Sequence, residues 1–151
     1  LQEIYRGAKM GAESIRLLLP KVDNARFRSD LQTQSRQYQT TASNVEQQMK
    51  ALGQCPRELT GKEQAMLWMS LQANTLCNRE TSHLAEMMIQ GSNMGILSLT
   101  KVLNSFTPPE ADPAQQDSQQ APPTQSQAIN LARTTIQAEE DNINRLKTYL
   151  Q

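Results

Sequence analysis

The stretch GAKMG at residues 7–11 occurs again as GSNMG at residues 91–95, so the pattern Gly-x-x-Met-Gly is present twice in one chain. Around each copy the apolar residues recur at spacings of three and four, which predicts an amphipathic α-helix. Because a glycine inside a helix costs about 1 kcal/mol relative to alanine, two such pairs at matching places indicate that helix backbones approach each other closely there. We therefore expect two related helical hairpins, each opening with a helix that carries this motif.

The second helix of each predicted hairpin supports the same repeat. Residues 24–52 and 128–150 both contain a series of apolar and polar positions at helical spacing, and a shift of 98 residues superimposes one series on the other. The positions are Leu31, Gln34, Tyr38, Thr41, Val45, Gln48 and Leu52 in the first series and Ile129, Ala132, Ile136, Glu139, Ile143, Leu146 and Leu150 in the second. This match predicts that both series face the interior of one bundle.

Helix ends can be read from prolines, glycines and capping residues. Pro20 ends the first helix, predicted at 1–19, and Gly53 ends the second, predicted at 24–52. Thr60 and Glu63 form a capping-box pattern that opens a shorter crossover helix, predicted at 62–76. A short turn between the first two helices predicts that they run antiparallel.

The remainder of the chain divides into a long helix, a linker and a last helix. The long helix is predicted at 79–106, after a break near residues 77–78 that keeps its length comparable to its neighbours. Residues 107–127 are rich in Pro and Gln, which predicts a flexible linker, and a second capping box at Thr124 and Gln127 precedes the last helix, at 128–150. The whole chain, residues 1–151, is predicted to be one all-α domain.

Composition limits the classes of partner. Lys and Arg together number 15 and so do Asp and Glu, so bulk charge does not favour nucleic acid or an anionic membrane surface. No apolar run reaches the roughly 20 residues that cross a bilayer, and no signal segment opens the chain, which indicates a cytoplasmic protein. Cys55 and Cys77 are predicted to be free thiols because the chain is not dense in cysteine.

The order of the predicted helices resembles the ferritin-like superfamily, and most closely its small bacterial families of unknown function. The first helix of those families is similar to the stretch GAESIR at residues 11–16. The resemblance implies an antiparallel four-helix bundle in which a long connection, here carrying the short helix at 62–76, joins the two hairpins. It also implies where a metal would bind, because metal-binding members hold two cations inside the bundle with inward carboxylates and Glu-x-x-His pairs.

The residues that could take part in such a metal centre are few. Glu13, Glu86 and Glu139 are the carboxylate candidates that the resemblance suggests, and Asn142 stands where a His would follow Glu139. The helix at 24–52 has no Glu-x-x-His pair at all. Another interpretation of Glu139 is a buried carboxylate that is hydrogen-bonded across the bundle to Gln34, Tyr38 or Thr41.

A second group of possible ligands lies where the long helix begins. Cys77, Glu80 and His83 are predicted to share one helical face, so a site for a single transition-metal ion is geometrically conceivable. The other interpretation is structural: Glu80 stabilises the helix N-terminus, His83 is partly exposed and Cys77 is a small core residue. The methionines of the crossover and long helices are predicted to be ordinary core residues; they are Met66, Met69, Met87, Met88 and Met94.

Two classes of function follow from these observations. The favoured hypothesis is a non-catalytic structural or protein-interaction module without a cofactor, forming a homodimer or binding another protein. The alternative is an unusual metal-binding protein that holds iron or manganese. Enzymatic activity is not favoured, since the chain has one histidine and neither of the glycine-rich phosphate-binding motifs sought, GxxxxGK[ST] and GxGxxG.

Overall fold

The computed structural model describes residues 1–106 and 123–150, and within these ranges the chain is helical with no strand. The α-helices are α1 (Gln2–Leu18), α2 (Ala25–Ala51), α3 (Gly61–Thr75), α4 (Thr81–Phe106) and α5 (Pro123–Leu146). Short 3-10 helices follow α1 at Leu19–Lys21 and α5 at Lys147–Tyr149. The prediction of an all-α fold is therefore confirmed for the described residues.

Local sequence explains where the helices begin. Asn24 caps α2 by accepting a hydrogen bond from the backbone N–H of Phe27, and Thr60 and Glu63 form the predicted capping box of α3. The capping box predicted at Thr124 is wrong, because α5 already begins at Pro123. Proline suits the first turn of a helix, since it has no N–H to leave unpaired there. Residues 123–127 of the predicted linker are thus helical, and residues 107–122 lie outside the described part of the chain.

The helices associate as two hairpins. α1 packs mainly on α2 and α4 mainly on α5, while α1 also contacts α3 and α4. In the first hairpin Gly11 lies against Tyr38, and Tyr5 lies near the charge of Glu46. Residue numbers thus fall along one helix as they rise along the other, so α1 and α2 are antiparallel as predicted.

The core is formed mainly by aliphatic and aromatic side chains, including Ile15, Leu18, Phe27, Leu31 and Leu84, all of them fully buried. The predicted interior face of α2 is correct through Tyr38, and beyond it only Val45 of the predicted positions is buried. The buried residues there are Ala42, Val45 and Met49, while Thr41 and Gln48 are half-buried and Leu52 is exposed. A straight helix has 3.6 residues per turn, so strict spacings of three and four drift away from the buried face over several turns.

The crossover helix α3 is partly exposed on several sides. It buries Leu71 and Thr75 but turns an apolar row toward solvent: Met66, Met69, Ala73 and Leu76, which we call the α3 stripe. Met66 is 61%, Met69 63% and Leu76 77% exposed. The prediction that the methionines are core residues is therefore wrong for Met66, Met69 and the exposed Met94, correct for Met88, and only partly correct for the half-buried Met87.

None of the helices in the described ranges combines the length and the apolar character required to cross a membrane.

Candidate functional site

A cleft of about 590 Å³ runs between α1, α3 and α4. We call it the central cleft, and its walls include Gly7 and Gly11 of α1 and Gly91 and Gly95 of α4. α3 covers one side with Leu67 and Leu71, and residues of α2 and α5 form the floor together with Ser92 of α4. Its volume falls within the range of about 300–1,000 Å³ that is typical of small-molecule sites.

Three of the four glycines of the repeated motif do not draw helices together. A Cβ atom added at Gly7, Gly91 or Gly95 would meet nothing within 4 Å. The expected close approach of backbones is therefore wrong at these three positions. Gly11 differs, because a Cβ there would lie 2.6 Å from the ring of Tyr38. Three of the four motif glycines thus leave open space along the walls of the cleft.

The floor of the cleft carries a chain of buried hydrogen bonds. The side-chain amide of Gln34 donates to the hydroxyl oxygen of Tyr38 over 2.9 Å, and the Tyr38 hydroxyl donates to Oε2 of Glu139 over 3.0 Å. Glu139 is only 8% exposed. This contact joins α2 to α5 and confirms that Glu139 is hydrogen-bonded across the bundle, with Tyr38 as its partner.

Ser92 of α4 completes the group, which we call the Glu139 cluster: Gln34, Tyr38, Ser92 and Glu139. The Ser92 hydroxyl lines the cleft, is buried, and is the one buried side-chain oxygen or nitrogen in the described residues that has no hydrogen-bond partner. It lies close enough to Glu139 and Tyr38 to lower the pKa of both side chains, yet it does not meet the geometry of a hydrogen bond to either. Buried polar atoms are normally paired, and the Ser92 hydroxyl keeps capacity for a further hydrogen bond at the cleft.

The electrostatics of the floor follow from its burial. Removal from water raises the pKa of Glu139, and nearby Ser92 and the hydrogen bond from Tyr38 offset this only in part. The pKa of Tyr38 is also raised, first by burial and then by the negative charge of Glu139. Among the described residues, Glu139 forms no salt bridge. The floor thus presents one carboxyl group without a countercharge.

The other carboxylates predicted as metal ligands lie in different surroundings. Glu13 forms a salt bridge with Arg16 at 2.6 Å, and this interaction lowers the pKa of Glu13. Glu86 is exposed to solvent. Of Glu13, Glu86 and Glu139, only Glu139 lines the central cleft.

The predicted face of Cys77, Glu80 and His83 is wrong. α3 ends at Thr75 and α4 begins at Thr81, so Cys77 and Glu80 belong to the connection between the helices and not to a helical face. His83 instead holds this connection by a 2.8 Å hydrogen bond between its Nε2 and the backbone carbonyl of Asn74. Cys77 is exposed, so its interpretation as a core residue is also wrong, and both cysteines are free.

Within residues 1–106 and 123–150, no three His, Cys, Asp or Glu side chains come together as a potential metal site. Ser92 is the residue of the cleft floor that the sequence analysis missed as a candidate. The buried residues Leu84, Ala85, Met88, Ser92 and Leu99 lie at helical spacing, so a polar residue on the buried face of α4 was the available signal.

Comparison with known proteins gives no match to a protein-family model, to a curated protein or to a solved structure.

Proposed function

We propose that this chain is a non-catalytic helical binding protein whose central cleft holds a small, largely apolar molecule. One observation carries the proposal: Gly7, Gly91 and Gly95 leave open space along the cleft walls, although glycine is among the poorest residues for building a helix. A cleft lined by apolar side chains with a small polar group at its floor is the usual form of a ligand site.

The absence of catalysis is part of the proposal and is supported by where reactive side chains lie. His83, the one histidine of the sequence, holds the connection between α3 and α4 and does not line the cleft. Cys55 and Cys77 are exposed and do not line it either. The imidazole and the two thiols thus stand outside the cleft, and the serines that line it have no histidine beside them to act as a base. Because Glu13 and Glu86 do not line the cleft either, the proposed function does not include the binding of iron or manganese.

We also propose a ferritin-like arrangement of the hairpins and a cytoplasmic location. The two hairpins, the contact between α1 and α4, and a crossover helix between α2 and α4 support the arrangement. The two free, exposed thiols suit a reducing compartment.

Calorimetric titration with 1-octanol tests binding in the cleft. We expect one molecule of octanol per chain and a loss of at least tenfold in affinity for Gly95→Leu, because the added side chain occupies the cleft. Gly61→Leu is the matched control, since Gly61 is a glycine with open space around it that does not line the cleft. Absence of octanol binding, or equal binding by both variants, would contradict the proposal.

The α3 stripe favours a second function, the protein-interaction module predicted from the sequence. Monomeric proteins rarely expose contiguous apolar patches of large size, and the stripe places Met66, Met69 and Leu76 in solvent. The stripe contains no charged residue, so a second copy of the chain can meet it across a two-fold axis without repulsion between like charges. We propose that the stripe joins two copies in a homodimer.

Light scattering after size-exclusion chromatography tests this second proposal. We expect a dimer for the natural sequence and a monomer for the double variant Met66→Gln and Met69→Gln, whose side chains keep a similar length but are polar. Leu97→Gln is the control, because Leu97 is an exposed apolar residue of α4 outside the stripe. A monomeric natural protein at high concentration would refute the homodimer.

A further inference from the structure

Glu139 lies at the floor of the central cleft with no cation of its own chain beside it. Arg6 is the one Lys or Arg that lines the cleft in the described residues, and its guanidinium is bound to Glu63 at 2.8 Å. Residues 107–122 contain no Lys, Arg or His, so the part of the chain outside the described ranges offers no basic side chain either. A buried carboxylate is stable when it is paired or fully hydrogen-bonded, and within residues 1–106 and 123–150 Tyr38 is the one residue that meets the geometry of a hydrogen bond to Glu139.

The groups around Glu139 are suited to accept hydrogen bonds from a ligand. The Ser92 hydroxyl is buried beside it without a partner, and the side chain of Asn142 is buried and also lines the cleft. A primary ammonium carries three N–H donors. The carboxylate of Glu139 and the hydroxyl oxygen of Ser92 give it two neighbouring acceptors, and Asn142 adds a polar side chain to the same lining.

The walls of the cleft suit an unbranched apolar body. Beyond the floor their apolar part includes Leu67, Leu71, Met87, Leu99 and the motif glycines, and polar side chains such as Ser70 and Ser98 lie among them. The glycines offer a smooth surface, and the methionines adapt to irregular shapes because their side chains are flexible and polarizable. A ligand that enters head first would place its charge at Glu139 and its chain between α1 and α4.

We propose that the central cleft binds an amphiphilic primary amine, with its ammonium group at Glu139 and Ser92 and its alkyl chain along the glycine-lined walls. The proposal rests on the proposed function, because it names the chemical class of the molecule that the cleft holds. Charge complementarity carries it: the site has a carboxylate and no countercharge, so an amine supplies what the chain does not.

Calorimetry with three probes of equal chain length, octylamine, 1-octanol and octanoate, tests the head group. We expect octylamine to bind at least tenfold more tightly than octanol and octanoate to bind least. Glu139→Gln keeps an acceptor for Tyr38 but removes the charge, and we expect it to weaken octylamine binding by about 30-fold while octanol binding stays within about twofold. The 30-fold weakening corresponds to the loss of one partner of a buried charged pair, about 2 kcal/mol or more.

Matched variants separate the possible failures. Glu140→Gln removes an exposed carboxylate next in sequence and should leave octylamine binding unchanged, while Ser92→Ala should weaken it several-fold. If octanol binds as tightly as octylamine, or if Glu139→Gln leaves amine affinity unchanged, the amine proposal is refuted and the proposed function stands. If no probe binds, or if Gly95→Leu does not block binding, the proposed function fails as well. Circular dichroism confirms that each variant is folded.

The pH dependence gives an independent readout. The titratable and charged residues that line the cleft are Glu3 and Arg6 of α1, Tyr38 of α2 and Glu139 of α5. Octylamine affinity should fall on acidification as Glu139 takes up a proton, and octanol affinity should not fall with it. An octylamine affinity that stays constant through the acidic range would refute the assignment of Glu139 as the ammonium partner.

Discussion

The two hairpins begin with copies of one motif but use its second glycine differently. In α1 the ring of Tyr38 lies directly over Gly11, so a side chain has no room. In α4 the equivalent Gly95 has nothing within 4 Å of a Cβ position. At the position of α5 that corresponds to Tyr38 in the repeat stands Ile136, which is half-buried. Gly11 therefore accommodates a neighbouring aromatic ring, while Gly95 leaves space that no side chain of the described residues fills.

Gly11→Ala should have the largest effect on stability. The new methyl group would lie 2.6 Å from a buried ring that has little freedom to move, so we expect the free energy of unfolding to fall by about 3 kcal/mol, the upper end of the usual cost of overpacking. Urea denaturation followed by circular dichroism measures it. A change smaller than about 0.5 kcal/mol would show that Tyr38 moves aside easily and that the two glycines are equivalent.

Tyr38→Phe should have the second-largest effect on stability. The change removes the hydroxyl that joins Gln34 to Glu139 and leaves both side chains buried without that partner, which should cost about 2 kcal/mol. Tyr5→Phe is a useful control, because its hydroxyl partner, Glu58, is exposed to water and the loss should be smaller. Equal losses in the two variants would mean that the Glu139 cluster is no more important for stability than a surface contact.

Glu139→Gln tests the charge on the same floor. Burial raises the pKa of Glu139 above 4.5, so the unfolded chain releases this proton at a lower pH than the folded chain does. The natural protein should therefore lose stability as the pH rises from about 4.5 through the raised pKa and then level off. The Gln variant should lack this loss and be more stable at pH 7, by on the order of 1 kcal/mol. If the free energy of unfolding depends on pH in the same way in both proteins, the expected direction of the Glu139 pKa shift is contradicted.

Gly95→Ala should have the smallest effect and the opposite sign to Gly11→Ala. Because a Cβ at this position meets open space and alanine favours the helix, we expect a gain of about 0.5–1 kcal/mol. Thermal unfolding at matched concentration measures it. A loss of stability would show that Gly95 is packed in the folded protein and would remove the contrast between the two copies.

The helices were predictable from the sequence to within a few residues, since their ends depend on local chemistry. Proline, the Thr60 capping box and Gly53, which has a positive φ of 72° after α2, act within one turn of the chain. The start of α5 shows the limit of this reasoning, because the capping-box pattern at Thr124 predicts a later start than Pro123, where the helix begins.

The candidate site was predictable only in part. A hydrogen bond from Glu139 to Gln34, Tyr38 or Thr41 was one interpretation of the sequence, because all four lie at inward positions of a repeated pattern, and the structure shows that Tyr38 is the partner. The cleft was not predicted, since a glycine in a helix is equally consistent with tight packing and with open space, as Gly11 and Gly95 show. The Met66 and Met69 prediction failed for a related reason: periodicity groups apolar residues on one face but does not say whether that face meets the core.

The sequence by itself determined that this chain forms helices and where most of them start and stop, because these properties depend on residues within a few turns of one another. It also showed that the two hairpins share a motif. The tertiary structure decided which faces are buried, that α3 leaves an apolar stripe in solvent, and that Glu139 has Tyr38 for a partner but no cation. Those properties depend on the distance between helices far apart in sequence, and that distance is fixed by the packing of whole side chains.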